Sequence, residues 1–259
     1  MKSRLLVAAI GIPLILWVIL WAPVAVLRLT LALLSAIGAY ELMKCVKAQP
    51  NWCAGIAIAT GLTVAWQQYY ELLLVAYILC FFARAVWKAG EAKWQEIATT
   101  VFCLIVIPYA FSAFLRLNDA GYHRAVLLLP LIFSFASDTG AFFAGLTFGK
   151  HKLAPKVSPK KTVEGAVGGL VGNALGGLVF AFVMNSYLGQ SMDYLMIAIV
   201  GVLCSIVAQL GDLSFSLIKR EFGIKDYGKL FLAHGGVLDR FDSVIFVAPV
   251  LTLAMPLLL

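Results

Sequence analysis

Charge is scarce in this sequence. Lysine, arginine, aspartate and glutamate make up 13% of the 259 residues, while hydrophobic residues make up 62%, above the roughly 45–50% apolar share that is typical of soluble domains. No CxxC pair occurs among the cysteines, which argues against a zinc site or a disulfide framework and predicts buried free thiols. The five are Cys45, Cys53, Cys80, Cys103 and Cys204. The sequence also lacks a low-complexity tract and a convincing internal repeat.

Long apolar runs dominate the chain instead. A helix needs roughly 20 apolar residues to cross the hydrocarbon core of a bilayer. The sequence therefore predicts an all-α polytopic membrane protein with about nine transmembrane helices, of which the third is short. The runs lie at 5–21, 24–42, 52–67, 69–87, 97–115, 125–146, 164–184, 193–218 and 237–258. No small-residue cleavage site follows the basic start of the first run, so we interpret it as an uncleaved span.

The basic residues predict the orientation of the chain. With the N-terminus in the cytoplasm, every Lys and Arg except Arg28, Arg116 and Arg124 falls on the cytoplasmic side, in agreement with the positive-inside rule. The C-terminus would then lie outside. We expect residues 1–120 to form N-terminal transmembrane helices, and residues 121–259 to form a C-terminal transmembrane region with cytoplasmic loops at 147–163 and 219–236, the longest polar segments, where chemistry is to be sought.

The first of these loops is rich in lysine. It contains Lys150, Lys152, Lys156, Lys160 and Lys161. Part of this basicity is the ordinary positive-inside signal, which remains an alternative interpretation. Two prolines, Pro155 and Pro159, limit the conformations of the unfolded loop and so the entropy that is lost when the loop becomes ordered. Ser158 and Thr162 add hydroxyl donors among the ammonium groups. This pattern suits phosphate oxygens, although it lacks the glycine spacing of a Walker A loop.

Four aspartates lie in or beside the apolar runs, at Asp138, Asp212, Asp239 and Asp242. An aspartate at the centre of a membrane helix costs about 2.5–3.5 kcal/mol, so these positions predict a function. The assumed topology places all four in the cytoplasmic half. Asp239 and Asp242 share a helical face, and a divalent cation would relieve their repulsion, since magnesium prefers carboxylate oxygens. The alternatives are an ion pair with Arg240 or capping of the helix start.

Two blocks of residues resemble the phosphatidate cytidylyltransferases, the CDP-diacylglycerol synthases. The block "SFSLIKREFGIKDYGKLFLAHGGVLDRFD" (214–242) is similar to the signature of this family in order and spacing, and "SDTGAFFAGLTFGKHKLAPKVSPKKTVEG" (137–165) is similar to a second hallmark region. Both lie in the C-terminal half. Residues 1–120 match the family only in being membrane spans.

The resemblance implies a reaction in which phosphatidate attacks CTP, giving CDP-diacylglycerol and pyrophosphate. It implies one or two Mg²⁺ ions held by Asp212, Asp239 and Asp242, which with Lys161 form the catalytic set. The implied substrate-binding residues are Asp138, Ser158, Lys160, Thr162, Lys219, Arg220, Lys225, His234 and Arg240. It further implies a homodimer in the inner (plasma) membrane with its active site facing the cytoplasm, and no nucleic-acid partner.

The sequence departs from the family pattern at five positions. Leu232 and Ala233 stand where Pro-Gly is usual, Phe215 where an acidic residue is frequent, Leu146 where a basic residue is common, and Val163 where Trp is common. These changes bear on efficiency and metal arrangement more than on reaction class.

Three other functions compete with this interpretation. A cation-coupled transporter would explain aspartates inside the membrane, but it needs charges near the midplane and no lysine-rich loop. A CDP-alcohol phosphotransferase would show four aspartates in one compact motif, which is missing here. A CTP-dependent lipid kinase is a nearer relative, and analysis of the product separates it from a cytidylyltransferase.

Other features of the sequence are interpreted as structural. The segment "GAVGGLVGNALGG" (165–177) repeats small residues at a spacing of four, which favours close packing of helices. Glu41, Glu71 and Arg84 lie near the ends of spans, where we expect them to reach water. The remaining histidines, His123 and His151, give no functional signal.

Overall fold

The computed structural model describes residues 2–87, 94–230 and 235–258, with the side chains of residues 2–8 and 10 left aside. Within these residues the chain forms nine α-helices and one two-stranded sheet. The helices are α1 (Lys2–Leu20), α2 (Val24–Cys45), α3 (Pro50–Ala65), α4 (Tyr70–Trp87), α5 (Trp94–Asp119), α6 (Leu129–Phe148), α7 (Val163–Tyr187), α8 (Tyr194–Glu221) and α9 (Leu238–Ala254), and the strands are β1 (Lys152–Ala154) and β2 (Ser158–Thr162).

Seven helical stretches of the described residues are long and apolar enough to cross a membrane; they contain α2 and α4 to α9. The described apolar part of α1 is shorter, Gly11–Leu20, and α3 has 16 residues, below the length of roughly 20 that a full span needs. The predicted polytopic helical architecture is confirmed. Of about nine predicted spans, seven meet this criterion, and the third is short as expected.

The chain divides into two compact units, which we describe separately. The first comprises residues 1–115 and 222–241. Close packing of α2 against α3 is possible because Gly61 has no side chain: a Cβ placed there would lie 3.1 Å from the carbonyl oxygen of Ala32. The core of this unit is apolar, and its fully buried large side chains include Leu42, Leu104 and Phe111.

The same unit contains the start of α9. Gly38 of α2 leaves room for Leu238, whose Cδ2 would be 3.2 Å from a Cβ at position 38. The ring of Phe241 lies 5.6 Å from that of Phe111 in α5. The first turn of α9 is therefore packed between helices that are distant from it in the sequence.

The second unit comprises residues 116–221 and 242–259. Helices α6 and α7 approach each other closely along glycines. A Cβ on Gly140 would lie 3.2 Å from the Cα of Gly172 and would overlap the carbonyl oxygen of Gly168, and one on Gly168 would overlap Ala144. The close packing predicted from the small-residue spacing is confirmed.

The lysine-rich segment is more ordered than a simple loop. Strands β1 and β2 pair antiparallel, with Lys152 opposite Thr162 and Ala154 opposite Ser158, and the register is irregular between the two pairs. Sequence patterning did not predict this hairpin, because strands of three and five residues are too short for an alternating pattern to stand out.

All five cysteines are free, and four of them are buried. The exception is Cys80, which is exposed. The prediction of free thiols is therefore confirmed, and burial holds for every cysteine except Cys80.

Candidate active site

The hairpin is fixed at its base to the start of α7. The carboxylate of Glu164 accepts hydrogen bonds from the backbone N–H of Lys150 at 3.0 Å and from that of His151, and it lies 2.6 Å from Nδ1 of His151. The side chain of Thr162 accepts from the backbone N–H of Gly165 at 3.1 Å, which makes Thr162 the N-cap of α7. These contacts determine where the lysines at the end of β2 emerge.

A cavity of about 420 Å³ lies within the second unit, where the hairpin meets α6, α7 and α8. Polar side chains from three of these elements line it: Asp138, Lys160, Lys161, Thr162 and Gln209. Apolar side chains form another part of the wall, namely Phe142, Leu146 and Leu153. Phe142 is 64% exposed and Leu146 is 72% exposed. The cavity thus combines a charged surface with an accessible apolar one.

Lys161 connects this cavity to Asp212. Its ammonium forms an ion pair with Oδ2 of Asp212, and the two side chains are 26% and 23% exposed. The hydroxyl of Ser216, one turn further along α8, donates to Oδ1 of Asp212 at 3.3 Å. The structure therefore brings together a lysine and an aspartate that the sequence placed in the catalytic set.

Asp242 also belongs to this unit and interacts electrostatically with Asp212, Asp138 and Lys219. Its approach to α8 depends on Gly211, where a Cβ would lie 2.9 Å from the backbone oxygen of Asp242 and 2.8 Å from the ring of Phe246. A larger residue beside Asp212 would push the two helices apart.

Asp239 lies in the other unit and has a different environment. Its Oδ2 accepts hydrogen bonds from the backbone N–H of Tyr227 at 2.8 Å and from that of Gly236 at 3.0 Å. Gly235 has a φ of +85°, which glycine adopts readily and other residues rarely do. The contact with Gly236 is that of a helix-start cap, which is one of the alternatives that the sequence left open for Asp239, and the contact with Tyr227 ties the preceding segment to the same carboxylate.

The other predicted binding residues are dispersed. Ser158 pairs with β1 and is half-buried, Lys219 is half-buried near the end of α8, and Lys225 and Arg240 are exposed. Arg220 donates from Nε to the backbone oxygen of Val157 at 3.2 Å, which ties the end of α8 to the hairpin. His234, together with Leu232 and Ala233, lies outside the described residues.

The predicted magnesium site can be compared with the donors present. In the part of the chain that the structure describes, no three His, Cys, Asp or Glu side chains are grouped so that they could hold a metal ion. Asp212 and Asp242 are nevertheless two interacting carboxylates, and carboxylate oxygens are the donors that magnesium prefers. The ammonium of Lys161 supplies the positive charge beside Asp212. A magnesium site that uses Asp212, Asp239 and Asp242 stays a prediction.

Comparison with known proteins identifies the family. The model of the cytidylyltransferase family matches residues 2–258. The chain belongs to this family. It is 33% identical to the phosphatidate cytidylyltransferase of Staphylococcus saprophyticus, over 98% of this chain and 99% of the relative. It is 32% identical to the proteins of the same name from Staphylococcus aureus and Staphylococcus epidermidis, with the same coverage.

Membership of the cytidylyltransferase family confirms the resemblance inferred from the two motif blocks. Those blocks lie in the C-terminal half, whereas the family match extends through the N-terminal helices as well. The helices of residues 1–120 are therefore part of the family pattern and not an addition to it.

Three polar residues at or beside the described sites were missed or misjudged. Gln209 lines the cavity and donates to the backbone oxygen of Ala166 at 3.1 Å. Its position one turn before Asp212 is the sequence signal that could have identified it. Glu164 holds the base of the hairpin. The expectation that Glu41 reaches water is wrong, because its side chain is 6% exposed and accepts backbone hydrogen bonds from the start of α9.

Proposed function

We propose that this cytidylyltransferase-family protein transfers the cytidylyl group of CTP to phosphatidate, forming CDP-diacylglycerol and releasing pyrophosphate. The observation that carries the proposal is the cavity of the second unit, in which Lys160, Lys161 and Asp138 share one space with exposed Phe142 and Leu146. A nucleotide triphosphate needs cations, and a diacyl phosphate needs an apolar surface beside a charged one. Relatives that are named phosphatidate cytidylyltransferase support the same substrates.

The reaction asks for positioning and neutralisation of charge more than for acid–base chemistry. A phosphate monoester has a second pKa near 6, so the attacking phosphatidate oxygen is already largely ionised at neutral pH. It forms a bond to the α-phosphorus of CTP, while the bond from that phosphorus to the oxygen bridging to the β-phosphate breaks. Pyrophosphate leaves with the electron pair of this bond.

The residues of the second unit match these needs. Lys160 and Lys161 neutralise phosphate oxygens of CTP, and the hydroxyl of Ser158 adds a donor on the same strand. When Mg²⁺ is bound, it neutralises phosphate charge and orients the reacting oxygens. Asp212 and Asp242 are the carboxylates of this unit that would hold the ion, and Lys161 would then be released from Asp212 to bind substrate.

We further propose that the active site faces the cytoplasm in the inner (plasma) membrane, with the N-terminus inside, the C-terminus outside and a homodimer as the assembly. The distribution of Lys and Arg supports this orientation. A single cysteine introduced at exposed Lys156, in a variant without the five native cysteines, tests it. A membrane-impermeant thiol reagent should label this cysteine in inverted vesicles and not in intact cells, and the reverse result would contradict the orientation.

Product analysis tests the reaction. Purified protein is incubated with phosphatidate, Mg²⁺ and CTP that is labelled either at the α- or at the γ-phosphate. We expect label from the α-position to appear in CDP-diacylglycerol and label from the γ-position in pyrophosphate. Transfer of the γ-label to lipid would make the protein a CTP-dependent lipid kinase, and no transfer from either position would contradict both enzymes.

A further inference from the structure

The carboxylate of Glu41 contacts the backbone at the start of α9. Glu41 lies four residues before the end of α2, in a part of the chain where the sequence predicts no site. Its Oε1 accepts a hydrogen bond from the N–H of Val237 at 3.1 Å, and its Oε2 accepts one from the N–H of Leu238 at 3.0 Å. Both acceptor and donors are buried, so these bonds are shielded from water.

Two glycines make room for this carboxylate. A Cβ on Gly236 would lie 2.5 Å from Oε2 of Glu41 and closer still to Oε1. A Cβ on Gly228 would lie 2.8 Å from the carboxyl carbon and would overlap Oε1. Glu41 reaches the two amides only because neither position carries a side chain.

The contact determines the geometry of a predicted catalytic turn. The first N–H groups of a helix have no partner within the helix, and a carboxylate at this end is favoured by the helix dipole. Asp239 accepts from the N–H of Gly236, and Glu41 accepts from the next two. Consecutive amides of one short segment are thus bound by two carboxylates that also interact electrostatically with each other.

We propose that Glu41 is a positioning residue for the cytidylyl transfer. By binding the amides of Val237 and Leu238, it sets the direction in which α9 begins and so the orientation of the Asp239 side chain. The inference rests on the proposed function and on the predicted role of Asp239, and it gives the N-terminal helices a part in the reaction. Glu41 acts through the backbone and is not a catalytic residue.

Glu41→Gln is the first test. The amide keeps the shape of the side chain, but its NH₂ group would face a backbone donor, and one hydrogen bond and the charge are lost. We expect kcat to fall about 10- to 100-fold, as small displacements of reacting groups do, with KM for CTP changing by less than about threefold. Glu71→Gln, at an exposed glutamate of the same unit, is the matched control and should leave both constants unchanged.

Gly228→Ala is the second test, because it displaces the carboxylate while leaving Glu41 in the sequence. It should lower kcat in the same way. The double variant should be no less active than the less active of the two single variants, since both changes act through one contact. Independent effects on kcat would multiply instead. If Glu41→Gln yields no folded protein, Gly228→Ala carries the test by itself.

The measurements use the whole chain in lipid–detergent micelles. The value of kcat is calculated from the concentration of folded protein in the monodisperse fraction. A purely structural role would reduce the amount of folded protein and leave the kcat of that protein unchanged, and this result would overturn the inference alone. Wild-type protein that forms no CDP-diacylglycerol would overturn the proposed function and the inference together. The two failures are therefore distinguishable.

Discussion

The carboxylates of the first unit and those of the second have different partners. Glu41 accepts hydrogen bonds from backbone amides at the start of α9, and Asp239 accepts from the backbone amides of Tyr227 and Gly236. Asp212, in the second unit, faces the ammonium of Lys161, and Asp138 lines the cavity. Backbone N–H groups are fixed by the fold, so their hydrogen bonds to a carboxylate cannot break without moving the chain. The ammonium of a lysine side chain can move away and be replaced by another cation. Glu41 is therefore suited to holding the backbone, and the carboxylates of the second unit are suited to chemistry.

The largest effect on turnover is expected from Asp242→Asn and Asp239→Asn, which remove one carboxylate from each unit. The sequence predicts that either change abolishes turnover, a loss of about 1000-fold, which higher Mg²⁺ or a change to Mn²⁺ partly restores. The structure predicts a difference in stability. Asp239→Asn replaces the charged acceptor of two backbone N–H groups by a neutral one and should lower the free energy of unfolding by about 1 kcal/mol. Asp242→Asn keeps an oxygen for the one N–H of Ser243 and relieves repulsion with Asp212 and Asp138, so it should not lower it.

Activity assays together with denaturant unfolding of both purified variants provide the measurement. Equal loss of stability in the two variants would remove the distinction between the groups. Full turnover in Asp239→Asn would assign that residue to the backbone alone.

A smaller effect is expected from Lys161→Gln, which removes the ammonium from both the cavity and Asp212. We expect turnover to fall about 100-fold while the protein still inserts and remains folded, because many other lysines maintain the orientation. Lys156→Gln is the matched control, since this exposed hairpin lysine does not line the cavity. Unchanged kinetics of Lys161→Gln at every CTP concentration would contradict the phosphate-binding role of the hairpin.

Lys160→Gln should have a weaker effect of about tenfold, mainly on KM for CTP, because this lysine is exposed and lines only the cavity. Exposed charges are screened by salt. The difference in initial rate between wild type and Lys160→Gln should therefore shrink as ionic strength rises. The difference in initial rate between wild type and Lys161→Gln should persist. Initial rates over a salt series provide the check, and equal screening of both variants would contradict the distinction.

The smallest effect on turnover is expected from Gly168→Ala, which tests the helix packing beside the cavity. Its Cβ would overlap Ala144, and overpacking of this kind costs about 1–3 kcal/mol. We expect a lower unfolding temperature. Gly55→Ala is the control, because nothing lies within 4 Å of a Cβ at that position, and it should be neutral or slightly stabilising. A Gly168→Ala protein as stable as wild type would contradict the close approach.

Much of the helical framework could be predicted from apolar length alone. The apolar run at 164–184 corresponds to helix α7 (Val163–Tyr187), and the run at 193–218 corresponds to helix α8 (Tyr194–Glu221). Apolar composition identifies these helices because each must cover most of a bilayer. The hairpin was not predictable in this way, since its order depends on Glu164 binding the backbone of Lys150 and His151.

The candidate site was predictable in its residue types but not in its pairings. The family resemblance placed Lys161 and Asp212 in one reaction, yet only the fold shows them bound to each other. Glu41 was misjudged because its partners are backbone amides, which have no signature in the sequence. A contact between distant segments leaves no periodic pattern, so reasoning from local patterns cannot find it.

The pairing of Lys161 with Asp212 also bears on how the protein is made. Ribosomes synthesise the chain from its N-terminus, so Lys161 leaves the ribosome before α8 does. When the apolar helix that carries Asp212 enters the bilayer, the lysine that pairs with its charge has already been synthesised. The lysine that serves the mature site would then also lower the cost of inserting α8 during biosynthesis.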